Sequence, residues 1–318
     1  MQIAEGIYQV QLPLPFALRI VNCYLLRDDQ GWTIVDSGLN YPPGQAAWQA
    51  AFETLGIGAG SITRIILTHA HPDHYGMAGW LAAQSGAPVL LSPTEQAFAE
   101  WVWGGGEPVY RAVRTFFLAH GMPDDMAQVV YEQMAELRPM TRPMAATTVL
   151  EPESTLRIGP REFQAIATPG HSDGHLVFYC AAERLLLCGD TVLTRITPNI
   201  SLWPHGRPDP LADFLQTLDQ LGGIEVDLAL PGHGPLISAF GQRLGELRAH
   251  HDQRLRVIEE QAGGATAFEV CTSIFPTEQL TPHQIRFAMA ETLAHLEYLV
   301  GAGRLERTEG DRTIYHRA

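Results

Sequence analysis

The stretch ILTHAHPDHYG, Ile66 to Gly76, places three histidines and an aspartate within six residues, directly after an apolar run. On an extended strand end His69 and His71 lie two residues apart and point to one side. Pro72 suits the first turn of a helix, which puts Asp73 and His74 on that turn, facing the same rim. Four ligand-type side chains therefore converge from one strand–helix junction, more than a single tetrahedral ion with an open position needs. For a lone histidine, a surface or capping role is the ordinary reading. The spacing of these four points to metal instead.

Working outward, three more strand ends carry the same signature. ATPGHSDGH places His171 in a Gly-containing turn, LLLCGDT ends a strand on Asp190, and LALPGHG does so on His233. Gly and Pro beside each let the backbone turn sharply and present the side chain. Five histidines and two aspartates suffice for two metal ions joined by a carboxylate. Mixed imidazole and carboxylate donors suit zinc first, with iron or manganese as alternatives.

The flanking pattern is α/β. Residues 7–36 read as three strands, 43–56 as a helix stopping at Gly56, 64–69 as a buried strand and 72–86 as one helix. Residues 94–145 read as a helical insertion rich in aromatics (Trp101, Trp103, Tyr110, Phe116, Phe117), serving as core, as a dimer surface or as a lid over an apolar substrate. Strands return over 147–190, then a proline-rich loop, a helix at 211–222 and a strand near 226–232. From 239 the character changes to a long helix, two further helices and a terminal β-hairpin, which suggests a small winged-helix-like α+β domain over 239–318 after a metal domain over 1–238.

Composition narrows the function. The chain has 318 residues and a net charge of −14, so its average surface repels phosphate backbones and nucleic acid is an improbable partner. All 21 basic side chains are arginine, which excludes a lysine Schiff base or a P-loop lysine. No apolar run is long enough for a membrane span, and the N-terminus lacks a signal-peptide pattern, so a cytoplasmic protein is expected. Cys23, Cys180, Cys188 and Cys271 form no C-x-x-C pair and read as reduced core thiols. Among the remaining histidines, His175 reads as a strand-start residue or a support for a ligand, His205 as an exposed loop residue, and His250 and His251 as a solvated helix face.

The motif H-x-H-x-D-H at His69, His71, Asp73 and His74, followed in order by His171, Asp190 and His233, resembles the metallo-β-lactamase superfamily, in the branch similar to glyoxalase II. The resemblance covers roughly residues 1–238 and implies an αββα sandwich with the site at one edge. It implies that His69, His71 and His171 hold one ion, that Asp73, His74 and His233 hold the second, and that Asp190 bridges them. Asp36, in IVDSG, is similar to the family's supporting aspartate. A carboxylate at the position of Asp190 is similar to the hydrolases of thioesters, lactones and phosphodiesters rather than to true β-lactamases.

The expectation is a dinuclear metal hydrolase in which a metal-bridging hydroxide attacks a small ester-like substrate, with Asp73 and Asp190 as catalytic residues. The alternatives are a phosphodiesterase or endoribonuclease of the same superfamily, and a metal-containing winged-helix regulator. The expected recognition helix, TPHQIRFAMAETLAHLEYL, carries one arginine and two glutamates, a poor phosphate-binding face that reads as a pocket wall or oligomer contact, such as a homodimer.

Overall fold

Strands with apolar residues on both faces must be covered on both faces, and this chain does so with two stacked sheets between helical layers. The computed structural model describes residues 1–318. The first sheet runs in the order β1 (Gln2–Ala4), β2 (Ile7–Pro13), β3 (Ile20–Asp28), β4 (Gly31–Val35), β5 (Ile62–Ile66), β6 (Val89–Leu91), β7 (Thr147–Val149). It is antiparallel as far as β4 and parallel from β4 onward. The parallel pairs require crossovers, supplied by α1 (Pro42–Leu55), then by α2 (Pro72–Tyr75) and α3 (Ala78–Ser85), and then by the helical insertion. The insertion comprises α4 (Pro93–Ala99), α5 (Glu107–Ala119) and α6 (Asp124–Leu137).

The second sheet contains β8 (Thr155–Ile158), β9 (Arg161–Ala167), β10 (Leu176–Cys180), β11 (Leu185–Gly189) and, after α7 (Pro210–Gly222), β12 (Leu228–Pro231). Strand alternation builds the layers. On β11, Leu185 and Leu187 face the first sheet's Val35 and Ile66 in one core, while Leu186 and Cys188 face Leu211, Phe214 and Leu218 of α7 in another. On β3, Leu25 packs with Trp48 and Phe52 of α1, and Tyr24 and Leu26 enter the layer between the sheets. The order of layers is helix, sheet, sheet, helix.

The chain closes with α8 (Phe240–Gln261), β13 (Ala265–Thr266), α9 (Ala267–Ile274), α10 (Pro282–Gly301), β14 (Leu305–Thr308) and β15 (Ile314–Arg317), the three short strands forming their own antiparallel sheet. Capping boxes at Thr266/Glu269 and Thr281/Gln284 start α9 and α10. Helices α8, α9 and α10 share one hydrophobic core with α5, α6 and α7.

Two local expectations change, and the spacing of two tryptophans finds its cause. The helix expected over 72–86 is two helices, broken at Gly76, where a Cβ would lie 2.4 Å from the Pro72 carbonyl oxygen and 2.6 Å from that of Met140. The backbone leaves the helix there, and Met77 N–H bonds to the Gly38 carbonyl. His251 is not on a solvated face: it is fully buried on the stripe Leu244, Leu247, His251, Leu255, Ile258, with Phe214 edge-on and His295 hydrogen-bonded at 3.1 Å, and His250 is half-buried. Its position in the 3.6-residue period outweighed its polarity. The tryptophans at 101 and 103 fit no helical stripe because residues Glu100–Gly104 form a π-helical turn.

Candidate metal centre

The carboxyl ends of β4, β5, β9, β11 and β12 meet at one rim, since β9 and β11 both run antiparallel to β10, and β11 runs parallel to β12. The loops leaving these ends carry Asp36, His69 to His74, His171, Asp190 and His233. The rim is stitched across the sheets: Asn22 donates its side-chain N–H to the carbonyls of Pro231 and Gly234, and Tyr24 donates to Pro231 at 2.8 Å. A Cβ on Gly232 would lie 2.2 Å from Asp190 Oδ1 and 2.6 Å from His74 Cε1, so only glycine lets β12 approach these side chains.

The seven side chains singled out in the sequence lie together. His69, His71 and His171 form one group with ligand atoms within 4.8 Å of one another, and Asp73, His74 and His233 form another. Asp190 lies between them. Its Oδ1 is 3.3 Å from His74 Nε2, and its Oδ2 is 3.4 Å from His233 Nε2 and 3.7 Å from His171 Nε2. Asp73 Oδ2 is 3.2 Å from His233 Nε2.

Four of the rings are held by one nitrogen. His74 Nδ1 donates to Asp36 Oδ2 at 2.8 Å, His171 Nδ1 to the Asn199 carbonyl at 2.9 Å, and His233 Nδ1 to the Ile20 carbonyl at 2.7 Å. Thr68 has a single hydroxyl proton, which goes to Asp36. Its oxygen therefore accepts from His69 Nδ1 at 2.9 Å. Each tautomer leaves a lone pair on Nε2, and the Nε2 atoms of His69, His74, His171 and His233, with Asp190 Oδ1, are buried without any hydrogen-bond partner. Buried polar atoms are almost always paired, so this donor set fits divalent ions that would complete it.

Protonation follows the same geometry. Burial, reinforced by neighbouring imidazoles, pushes His69 and His71 well below the usual histidine range, so they present neutral lone pairs. For His233 burial opposes the proton, but the carboxylates of Asp190 and Asp73 raise it to about 10. His74 is raised against burial by the same carboxylates and by Asp36. These two rings therefore offer the Nε2 lone pair only after giving up a proton that a bound ion would displace. Burial likewise opposes ionisation of Asp73, and His74 and His233 overcome it, holding that carboxyl well below its usual range.

One positioning residue escaped the sequence reading, and another, His175, has the supporting place read for it. Buried Glu95 accepts the Ala70 N–H at 2.7 Å, between His69 and His71, and also the Gly174 N–H at 2.8 Å and the Ser172 hydroxyl, tying the two ligand loops together. His175 Nε2 accepts the Asp190 N–H at 3.2 Å, while its Nδ1 meets the Thr168 and Thr191 hydroxyls. It supports Asp190 and is not one of the clustered donors. Cys188 is a buried free thiol, and burial pushes its pKa up. His205 is exposed, as expected of a loop residue, but sits edge-on to Trp101 at 5.6 Å and lines a small side cavity next to His71 and His171.

The centre opens into a cavity of about 320 Å³. Its walls are apolar: Phe16 and Leu18 from the β2–β3 loop, Trp101, Trp103, Val113 and Met134 from the insertion, Trp203 from the proline-rich loop, and Phe287 from α10. Phe116 and Phe117 belong instead to the core behind it. No helix is long and apolar enough to cross a membrane.

A four-layer α/β sandwich with a histidine–aspartate cluster at its strand ends defines a class of metal-dependent hydrolases. The family model "Metallo-beta-lactamase superfamily" matches residues 17–233, and "Metallo-beta-lactamase-like, C-terminal domain" matches residues 255–317. The chain belongs to the metallo-β-lactamase superfamily and is a metallo-hydrolase of it. It is similar over its whole length to the metallo-beta-lactamase family protein TTHA1429 from Thermus thermophilus, with a TM-score of 0.89, 34% identity and 100% of both chains covered. It is 24% identical to the probable metallo-hydrolase YqjP of Bacillus subtilis, covering 98% of this chain and 97% of that protein. An atrochrysone carboxyl ACP thioesterase of Aspergillus fumigatus is 24% identical, over 83% of this chain and 70% of its own length.

Proposed function

We propose that the chain is a dinuclear hydrolase of small ester-like acyl substrates, thioesters or lactones, in the glyoxalase II-like manner and without appreciable β-lactamase activity. The observation that carries this reading is the Asp190 carboxylate at the floor of an apolar cavity, whose Oδ1 faces His74 and whose Oδ2 lies between His233 of one donor group and His171 of the other. His69, His71 and His171 would hold one ion, Asp73, His74 and His233 the other, with Asp190 shared and zinc the first choice of metal. Two such ions supply Lewis acidity and a water acidified enough to attack a carbonyl at neutral pH. The chain's own residues do the rest. Asp36, Glu95 and His175 hold the ligands in place, the aromatic walls exclude bulk water, and Asp73, whose Oδ1 makes no protein hydrogen bond, can hold and return a proton there.

The insertion over 94–145 acts as a lid over the apolar group of the substrate, and residues 239–318 form a winged-helix-like unit that contributes a pocket wall. Burial along α10 speaks against a groove-reading role: Ile285, Ala288, Met289, Leu293, Leu296 and Leu299 are all buried, leaving no free recognition face. Four buried free cysteines fit a cytoplasmic location. The similarity to a protein named as a thioesterase favours the acyl reading over the phosphodiester one. The test is metal analysis of protein purified without added metal, followed by a panel of thioesters, lactones, β-lactams and single-stranded RNA at equal metal loading. Cleavage of RNA with no acyl hydrolysis would replace this reading.

A further inference from the structure

Arg286 is 7% exposed and lines the same cavity as His71, Asp73, Asp190 and His233. It has no carboxylate partner. Its Nε is buried without a hydrogen bond, Nη1 makes none, and Nη2 lies only within a long 3.4 Å of His283 Nδ1. The only other buried arginine, Arg161, pairs with Glu183 at 2.8 Å, which is what a desolvated guanidinium ordinarily requires. Around Arg286 the structure offers aromatic faces instead: its guanidinium carbon lies 4.7 Å from the Phe287 ring centroid and 5.5 Å from that of Trp203. Burial lowers its pKa to about 10, so it remains charged at neutral pH.

Beside Arg286 in the same cavity lining is His283, stacked on Phe16 with ring centroids 5.0 Å apart. Burial and the neighbouring guanidinium keep it neutral, at about 3, so it neither competes for an anion nor neutralises one. The cavity thus has two poles: a ligand-rich floor and one unpaired cation on an aromatic wall.

We propose that Arg286 is a carboxylate-binding subsite, and that the substrate is an acyl ester, thioester or lactone bearing a carboxylate remote from the scissile carbonyl. This rests on the hydrolase reading above. A guanidinium edge matches a carboxylate in two parallel N–H···O bonds, and a single cation neutralises a monoanion.

The experiment uses the metal-loaded protein and two matched thioester pairs. In one the acyl half is glutaryl or pentanoyl on a neutral thiol; in the other a carboxylate or its methyl ester is carried by the thiol half. The expected result is that one pair shows a preference for the carboxylate of roughly ten- to a hundredfold in kcat/KM, expressed mainly in KM, as suits hydrogen bonds to a charged group. Arg286→Gln should abolish that preference and Arg286→Lys restore part of it. Equal turnover of both members in both pairs overturns the subsite while leaving the hydrolase intact, and this wild-type comparison decides the matter even if the variants do not fold. If no substrate is hydrolysed, the hydrolase reading fails, and titration of glutarate followed by tryptophan fluorescence (Trp203 lies beside the guanidinium) tests the subsite alone. Binding weakened about tenfold or more by Arg286→Gln supports it, and equal binding by both proteins overturns it.

Discussion

Asp36→Asn isolates the contribution of a buried acceptor to one of the two proposed metal sites. Asp36 Oδ1 accepts the Thr68 backbone N–H at 2.8 Å, a group that can only donate, so an asparagine must keep its oxygen there. Its NH2 then replaces Oδ2, 2.8 Å from His74 Nδ1. Two donors cannot share that contact. His74 must accept at Nδ1, which moves its proton to Nε2, the nitrogen that faces Asp190 at 3.3 Å. A protonated Nε2 cannot bind metal. Loss of such a supporting hydrogen bond costs about 10- to 100-fold in metal affinity, or roughly 1.4–2.7 kcal/mol. The group containing His69, His71 and His171 should suffer less, because Thr68 can still donate to the retained Oδ1 and accept from His69. Dialysis against graded zinc buffers with elemental analysis should give two tight equivalents in the parent and one tight, one weakened in the variant. Two equivalents at parental affinity would refute the tautomer argument.

Glu95→Gln places an NH2 against the N–H of Ala70 or Gly174 and should destabilise the fold by about 1–3 kcal/mol, read as a lowered urea midpoint; an unchanged midpoint contradicts the tethering role. Asp190→Ala should leave the fold intact and abolish turnover, and Asp73→Asn should remove most of it; near-normal rates in the first with full metal content disprove a shared carboxylate. Away from the site, burial would raise the pKa of Asp28, but hydrogen bonds from Arg64, Gly159 N–H and Asp29 N–H lower it. A lowered folded pKa means stability present above the unfolded value near ~3.9 and lost as pH falls through the folded one. Asp28→Asn should therefore cost about 1 kcal/mol at pH 7 and less at pH 3, by denaturant melts at both. An equal loss at both values would show that charge is not involved.

The clustered histidines and aspartates were legible because each is announced locally. An apolar strand, a Gly or Pro turn and a histidine or aspartate are contiguous in the chain, and the shared direction of β4, β5, β9, β11 and β12 brings such ends to one rim. The residues that hold them are announced by nothing local. Glu95 is the third residue of an ordinary Ser-capped helix, and its three donors come from loops 25 and up to 79 residues away. His175 was placed near the site by its spacing from His171, but its bond to the Asp190 N–H exists only once β10 and β11 pair. His251 was misread because amphipathic polarity is a weaker signal than periodicity when a histidine finds a second histidine inside the core. Arg286 had been counted among the charges of an expected nucleic-acid helix. Its significance lies in the lack of a partner, which no sequence pattern displays.

That lack bears on how an acidic protein can take an anionic substrate. Thirty-five carboxylates face 21 arginines over the chain, and a long polyanion must lie across that surface in contact with many of them. A small monoanion need not. Beyond about 8 Å at physiological ionic strength the surface field is screened, so a short acyl carboxylate feels mainly the charges within the cavity. There water is scarce and the effective dielectric is low, and one guanidinium counts for more than several at the surface. Net charge therefore discriminates by the size of the anion: it opposes RNA along its whole contact length, yet leaves a carboxylate free to reach Arg286. Raising the ionic strength should accordingly change KM for a carboxylate-bearing thioester by only a few-fold, since a desolvated pair is weakly screened. A steep salt dependence would place the recognising charges on the surface instead.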